Sequence, residues 1–163
     1  MLPIGYNQTI SQPFIVAIMT QMLQVLPGDK ILEIGAGCGY QAAIISRIAK
    51  EVHTVERIPE LVELARENLS GLGYDNVHVH LGDGWNGWRA AGPYDGIIVT
   101  AAPEIIPKPL IEQLQTDGTL VIPVGPSHSV QYLETVHKEL DGTLTKHCEM
   151  AVRFVPLISP HNL

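Results

Sequence analysis

The stretch Ile31-Leu32-Glu33-Ile34-Gly35-Ala36-Gly37-Cys38-Gly39-Tyr40 reads as a buried strand that breaks into a glycine-rich turn and opens a helix. Such a unit confines the chain to strands alternating with helices, and it points to a nucleotide-like ligand at the turn. The glycines run G-x-G-x-G, not G-x-G-x-x-G, because Tyr40 stands where the last glycine of the dinucleotide fingerprint belongs. Spacing alone is weak evidence. A second strand, Val52-His53-Thr54-Val55-Glu56, ends in an acid about twenty residues downstream, where a carboxylate can accept both hydroxyls of a ribose. A third, Val77 to Leu81, runs into Gly82-Asp83-Gly84.

A dinucleotide site has no standing need for that third acidic turn, whereas an S-adenosylmethionine site does, since the adenine amino group seeks an acceptor. No lysine or arginine lies in Gly35 to Gly39, and Glu33 sits directly before the loop. A carboxylate there repels a pyrophosphate and suits the sulfonium and ammonium groups of S-adenosylmethionine. The predicted cofactor site comprises Glu33, Gly35, Ala36, Gly37 and Gly39, with Glu56 on the ribose and Asp83 near the adenine.

At 163 residues the chain fits a single domain over 1–163 with a core that needs neither disulfides nor metal. A net charge of -7 argues against nucleic acid, whose binding draws on clustered lysine and arginine. The two cysteines, Cys38 and Cys148, form no C-x-x-C pair and read as reduced thiols. No basic n-region with an apolar core opens the sequence, and the apolar stretch Phe14 to Leu26 is broken by Gln21 and Gln24. The expectation is a cytoplasmic protein with no membrane partner.

Ser11-Gln12-Pro13 offers an N-cap with proline in the first turn, and Ile15, Ile18, Met19, Met22 and Leu23 recur at helical spacing up to about Val25. Lys30 to Ile34 is the first strand, and Tyr40 to Ala49 a helix packing Ala42, Ala43, Ile45 and Ile48 on the sheet. Pro59 opens another helix with Leu61, Leu64, Ala65 and Leu69 inward, closed by Gly71 and Gly73. Tyr94 to Thr100 is apolar enough to be buried on both faces. Pro109 to Leu114 predicts a short helix, and Gly118 to Gly125 a strand whose Pro123 belongs near an edge or its end. Val130 to His137 and Thr143 to Phe154 flank Asp141-Gly142, a hairpin signal, so the mostly parallel sheet ends in an antiparallel pair.

These residues resemble the protein-L-isoaspartate O-methyltransferases over nearly the whole chain. Pro3-Ile4-Gly5-Tyr6-Asn7-Gln8-Thr9-Ile10-Ser11-Gln12-Pro13 is similar to the family signature before the first core helix, and Leu32 to Gln41 to its cofactor loop. Val55 to Leu61, Ile97 to Pro103, Leu120 to Gly125 and Val152-Arg153-Phe154-Val155-Pro156-Leu157 also read as family text. The resemblance implies a class I S-adenosylmethionine-dependent methyltransferase fold, a Rossmann-like α/β three-layer sandwich. It implies methyl transfer to the α-carboxylate of isoaspartyl residues in aged proteins and peptides, after which the ester recyclises without the enzyme. Arg57, Gly82, Gly84 and Thr100 join the cofactor set by resemblance.

A carboxylate of reference pKa about 3.9 is ionised at neutral pH, so displacement at the methyl sulfonium needs no general base. Near-attack alignment can supply about 7–11 kcal/mol. By resemblance Ser11 is the active-site residue, its hydroxyl orienting the acceptor. Thr9, Ile10, Gln12, Gln131, Arg153 and Val155 bind substrate by the same implication. Read from spacing alone, Ser11 is an ordinary N-cap, worth about 1 kcal/mol, and Arg153 a strand residue that could equally be a surface charge.

His78 and His80 alternate onto one face of a strand, a spacing compatible with metal ligation, yet no cysteine or third ligand nearby completes a set, and no metal is expected. Cys38 stands where the family usually carries a small hydroxyl residue, and Trp85 and Trp88 read as packing. Family members usually carry a further helical segment before the signature, whereas this sequence opens at Met1 almost upon it. A fragment or a short form follows, a monomer or weak homo-oligomer with an apolar rim at Ile4, Tyr6 and Phe14. Two other readings stay open: an aspartyl-peptide methyltransferase of a natural-product pathway, and a cofactor-binding fold without turnover.

Overall fold

The structure, a computed structural model, describes residues 2–158. In chain order it contains β1 (Leu2–Gly5), β2 (Gln8–Ile10), α1 (Pro13–Leu23), β3 (Lys30–Ile34), α2 (Tyr40–Ser46), β4 (Glu51–Glu56), α3 (Pro59–Gly71) and β5 (Val77–Leu81). Two short 3-10 turns, Gly84–Asn86 and Arg89–Ala91, precede β6 (Tyr94–Val99), α4 (Lys108–Gln113), β7 (Leu114–Val124), β8 (Gln131–Lys138) and β9 (Leu144–Val152). Seven strands form one sheet in the order β5-β4-β3-β6-β7-β8-β9. The first five are parallel, whereas β8 is antiparallel to both β7 and β9.

Alternating side chains along the central strands are buried on both faces. Ile31, Val52, Ile98 and Val121 meet Met19 and Leu23 of α1 and Ala42 and Ile45 of α2. Leu32, Ile34, Ile97, Val99, Leu120 and Ile122 face Leu110 of α4 and Leu114 on the other side. Each such side chain stabilises the fold by about 1.5–3 kcal/mol, so the three layers follow from the apolar strands. No helix among the described residues is long and apolar enough to cross a membrane.

Several boundaries differ from expectation. Helix α2 ends at Ser46 rather than Ala49, which leaves Ile48 41% exposed while Ala49 turns inward. Strand β7 starts at Leu114, its register against β6 shifting between Tyr94 and Gly96 and Asp117 adopting a φ of 65°. Pro123 stands one residue from the end of β7, beyond its ladder with β6, where no partner there requires its missing N–H. The Asp141-Gly142 hairpin closes as a three-residue loop, with the Glu139 N–H donating to Thr143 O at 2.8 Å and Gly142 in the left-handed region. The N-terminal signature folds into an unanticipated hairpin of β1 and β2, turned by Tyr6 and Asn7 at φ 53° and 58°. With no glycine at either central position, that turn carries little sequence signal.

Candidate active site

β3 is flanked by β4 on one side and β6 on the other, and this reversal of winding opens a crevice beyond the carboxyl ends of the strands. A cavity of about 410 Å³ lies there. Its floor is the glycine turn. Gly35 has a φ of 95°, and a Cβ at that position would strike the Thr100 hydroxyl. That hydroxyl lies 3.0 Å from Ile34 O and 2.8 Å from Gly35 O, so the end of β6 clasps the end of β3. Gly39 serves the helix instead, opening α2 outside the cavity where Leu69 of α3 packs against it.

Two buried acids stand beside the turn. The Glu56 carboxylate accepts three backbone amides, from Gly37 at 3.1 Å, Arg57 at 2.8 Å and Ile58 at 3.1 Å. Glu33 is fully buried, and its Oε2 accepts the Thr54 hydroxyl at 2.5 Å. Its Oε1, also buried, has no partner. Burial pushes the Glu33 carboxyl up to about 8; the Thr54 bond and, more weakly, the Ala42 backbone amide oppose that rise, and the nearby Glu56 charge adds to it.

The remaining predicted cofactor residues surround the same space, with Ala36, Gly37, Arg57, Asp83, Gly84 and Thr100 all in its wall. Asp83 also caps the first 3-10 turn, accepting the Trp85 N–H at 3.0 Å. A Cβ on Gly84 would collide with Ile34, so only glycine lets this turn approach β3. Gly82 lies outside the cavity lining and donates its N–H to Glu56 O at 2.9 Å, holding the Asp83 turn against β4.

A second cavity of about 400 Å³ adjoins the first. Thr9, Ser11, Thr100 and Val155 line both, so they form the wall between them. Gln12 and Arg153 face the second cavity and Ile10 the first. Ser11 is not the cap that spacing suggests. Pro13 occupies the first helical position, which makes Gln12 the N-cap residue, and its side chain makes no capping bond. Ser11 is therefore released from the helix end.

Gln131 lies outside both cavities, contrary to its expected place in the substrate site. Its amide oxygen accepts the Phe154 N–H at 2.6 Å and its amide nitrogen donates to Phe154 O at 3.1 Å. It positions the segment that carries Arg153 and Val155. That segment is stitched to Ala102, whose N–H donates to Val155 O at 2.8 Å and whose carbonyl accepts the Leu157 N–H at 2.9 Å. Pro156, Leu157 and Ile158 thereby join the cavity wall, a role no local pattern signals. Gln41 also escapes the sequence pattern. It is buried in the same wall and donates to the Thr20 hydroxyl at 2.9 Å; its one legible sign is a polar residue on the inward face of α2. Trp88 packs against the core, as expected. The pairing of His78 with His80 is corrected too, because β4 brings Glu51 and His53 beside His78.

Residues 1–162 match the family model described as protein-L-isoaspartate(D-aspartate) O-methyltransferase. A protein-L-isoaspartate O-methyltransferase of Polaromonas sp. is 54% identical over 156 residues, 96% of this chain and 74% of the relative. One from Picosynechococcus sp. is 55% identical over 96% of this chain and 69% of its own length. A solved protein-L-isoaspartate O-methyltransferase superposes with a TM-score of 0.87 at 30% identity, covering 98% of this chain and 51% of that one. A Plasmodium falciparum structure in complex with S-adenosyl-L-homocysteine shares the fold, with a TM-score of 0.82, 24% identity, and coverage of 96% and 79%. The chain belongs to the protein-L-isoaspartate O-methyltransferase family.

Proposed function

We propose that methyl transfer takes place across the wall shared by the two cavities, with the cofactor on the Gly35 to Gly39 side and the isoaspartyl carboxylate on the Arg153 side. The chain is a protein-L-isoaspartate O-methyltransferase that uses S-adenosylmethionine and acts on isoaspartyl proteins and peptides. The observation that carries the assignment of sides is that Thr9, Ser11, Thr100 and Val155 border both spaces.

The first cavity fits its cofactor. A buried, unpartnered carboxyl oxygen on Glu33 offers an acceptor to a cationic group, and Glu56 closes the far side of the turn. The absence of a side chain at Gly35 leaves the Thr100 hydroxyl undisturbed. When bound, S-adenosylmethionine supplies an electrophilic methyl group on its sulfonium.

The chain's own residues hold and align. The acceptor carboxylate arrives ionised, so no base is required, and orientation carries the rate. Ser11, free of a capping duty, donates its hydroxyl to that carboxylate. Arg153 provides charge in the second cavity to draw an acidic group inward. Val155 in the shared wall and Phe154 in the second cavity, held by Ala102 and Gln131, limit the access of water to the acceptor. A cytoplasmic setting, and a monomer or weak homo-oligomer, accord with two free cysteines and with Tyr6 and Phe14 exposed at 54% and 61%.

The test is a pair of peptides identical but for one linkage. Methyl transfer to the isoaspartyl peptide with none to its normal-aspartyl twin is the expected result. Equal methylation of both would overturn the substrate assignment. Loss of transfer in Arg153→Gln with cofactor affinity retained would support the side given to each ligand, and loss of both together would reject it.

A further inference from the structure

On the sheet face that carries α4, far along β4 from Glu56, three side chains converge. Glu51 and His53 are two residues apart on β4 and so share a face, and the parallel register sets His78 of β5 directly beside His53. His53 Nε2 lies 2.8 Å from Glu51 Oε1, and His78 Nε2 lies 3.5 Å from the same oxygen. The two imidazole rings stack with centroids 4.9 Å apart. All three ligand atoms lie within 4.8 Å of one another.

We propose that Glu51, His53 and His78 form a binding site for one divalent cation of the zinc class, separate from the methyl-transfer site. Zinc sits about 2.0–2.1 Å from nitrogen and about 2.0–2.2 Å from oxygen, which sets tetrahedral ligands about 3.3 Å apart. The two contacts with Glu51, at 2.8 Å and 3.5 Å, bracket that spacing, and the two imidazole nitrogens, within 4.8 Å of one another, reach it by closing by up to about 1.5 Å as the exposed His78 ring turns toward His53. The Glu51 and His78 side chains are 32% and 47% exposed, which gives the cation an entry path and leaves room for water as a further ligand.

An outer layer of support is present as well. A metal-ligating histidine typically donates its other ring N–H to a fixed acceptor. His53 Nδ1 lies 2.9 Å from His80 Nε2, and His80 is stacked on Trp88 with centroids 4.2 Å apart. A neutral imidazole has one acceptor nitrogen, and the His80 Nε2 is the atom turned toward His53. Without a cation, the His53 Nε2–H donates to Glu51 and Nδ1 accepts from His80. With one, Nε2 is the ligand and Nδ1–H donates to His80 Nε2. The His80 proton moves to its Nδ1, and no net proton is released.

The charges around the cluster sharpen the choice of ion. Lys30 of β3 lies close enough to bias Glu51 and His53, its ammonium tied to Ala91 O at 2.8 Å, and Arg66 of α3 bears on His80. Tyr94 of β6 meets His53 edge-on and stays protonated. One carboxylate against these cations gives little hold on magnesium or calcium, whereas two imidazoles favour zinc, nickel, copper and cobalt.

The experiment uses the full chain, freed of metal by a chelator and dialysed, and titrated calorimetrically with zinc chloride. Expected are one equivalent bound, a melting temperature that rises with zinc but not with magnesium, cobalt(II) bands of a low-coordinate N/O site, and a tautomer switch of His53 and His80 by nitrogen NMR. Glu51→Gln and His78→Gln, chosen because both sites are accessible to solvent, each weaken zinc by roughly 10–100-fold or more. Both keep wild-type circular dichroism and metal-free methyl transfer. His147→Gln, on β9, leaves zinc affinity unchanged. Wild-type affinity no tighter than millimolar, or affinity unchanged in both Glu51→Gln and His78→Gln, would overturn the site.

Discussion

The Glu56 Oε2 accepts the Gly37 amide at 3.1 Å, so the carboxyl end of β4 grips the glycine turn from beneath. The same carboxylate takes the amides of Arg57 and Ile58 on its other oxygen. One side chain thus fixes two loops that line the first cavity.

Glu56→Ala removes that grip together with the charged acceptor proposed for the cofactor. Forfeiting a hydrogen bond to a charged group costs about 1.5–3 kcal/mol, some ten- to a hundredfold in affinity. Titration calorimetry with S-adenosylmethionine is expected to show that weakening. Affinity equal to wild type would remove Glu56 from the cofactor site.

Ser11→Ala separates chemistry from folding. Since Gln12 holds the N-cap position, loss of the Ser11 hydroxyl is expected to change stability by no more than about 0.5 kcal/mol. If the hydroxyl orients the acceptor carboxylate, kcat/KM on an isoaspartyl peptide falls by roughly 10–100-fold, the worth of a hydrogen bond to a charged group. A large drop in stability with unchanged turnover would return Ser11 to a capping role.

Residues whose chemistry demands a type at a place are legible in the sequence. Glycines at 35 and 37, acids at 33, 56 and 83, and the apolar strand at 94–99 can each be read from position and type. What escapes is set by tertiary contact. Gln131 looks like a polar strand residue until Phe154 folds against it, and His53 and Glu51 join His78 only through the parallel register of β4 and β5. The cap lies one residue beyond Ser11, because a proline at the first helical position assigns it to its immediate predecessor. Ile48 stays out of the core because α2 stops a turn early, and helix ends are the least local part of any pattern.

Gly35→Ala is expected to destabilise the fold twice over, through a φ of 95° and through collision with the Thr100 hydroxyl. Backbone strain of this kind costs about 1–3 kcal/mol. Thr100→Ala in the same chain relieves only the collision. Denaturant melts of the two single variants and the double variant should show a coupling of about 0.5–3 kcal/mol, with the pair more stable than the sum. Strict additivity would mean that the Thr100 hydroxyl does not constrain residue 35.

Glu33 gives the protein a pH signature of definite sign. Its folded-state pKa of about 8 lies above its ordinary 4.5, so the native state holds a proton that the unfolded chain has lost. Stability therefore falls as pH rises from about 4.5 to about 8, because the unfolded state binds fewer protons in that window. His53 and His80 act oppositely: burial depresses both, so their contribution rises with pH until the unfolded histidines have titrated, at about 6.5. Between pH 7 and 8 the histidine contribution has levelled off and the Glu33 slope stands out. Urea melts across that interval are expected to show declining stability in the wild type and a flat profile in Glu33→Gln. A cationic group brought against Oε1 favours the ionised carboxyl, so cofactor binding at pH 7 should release close to one proton. Calorimetry in two buffers of different ionisation enthalpy measures that release directly. Its presence in the wild type and absence in Glu33→Gln would place the charge of the cofactor on this residue, whereas equal release in both chains would put the proton elsewhere.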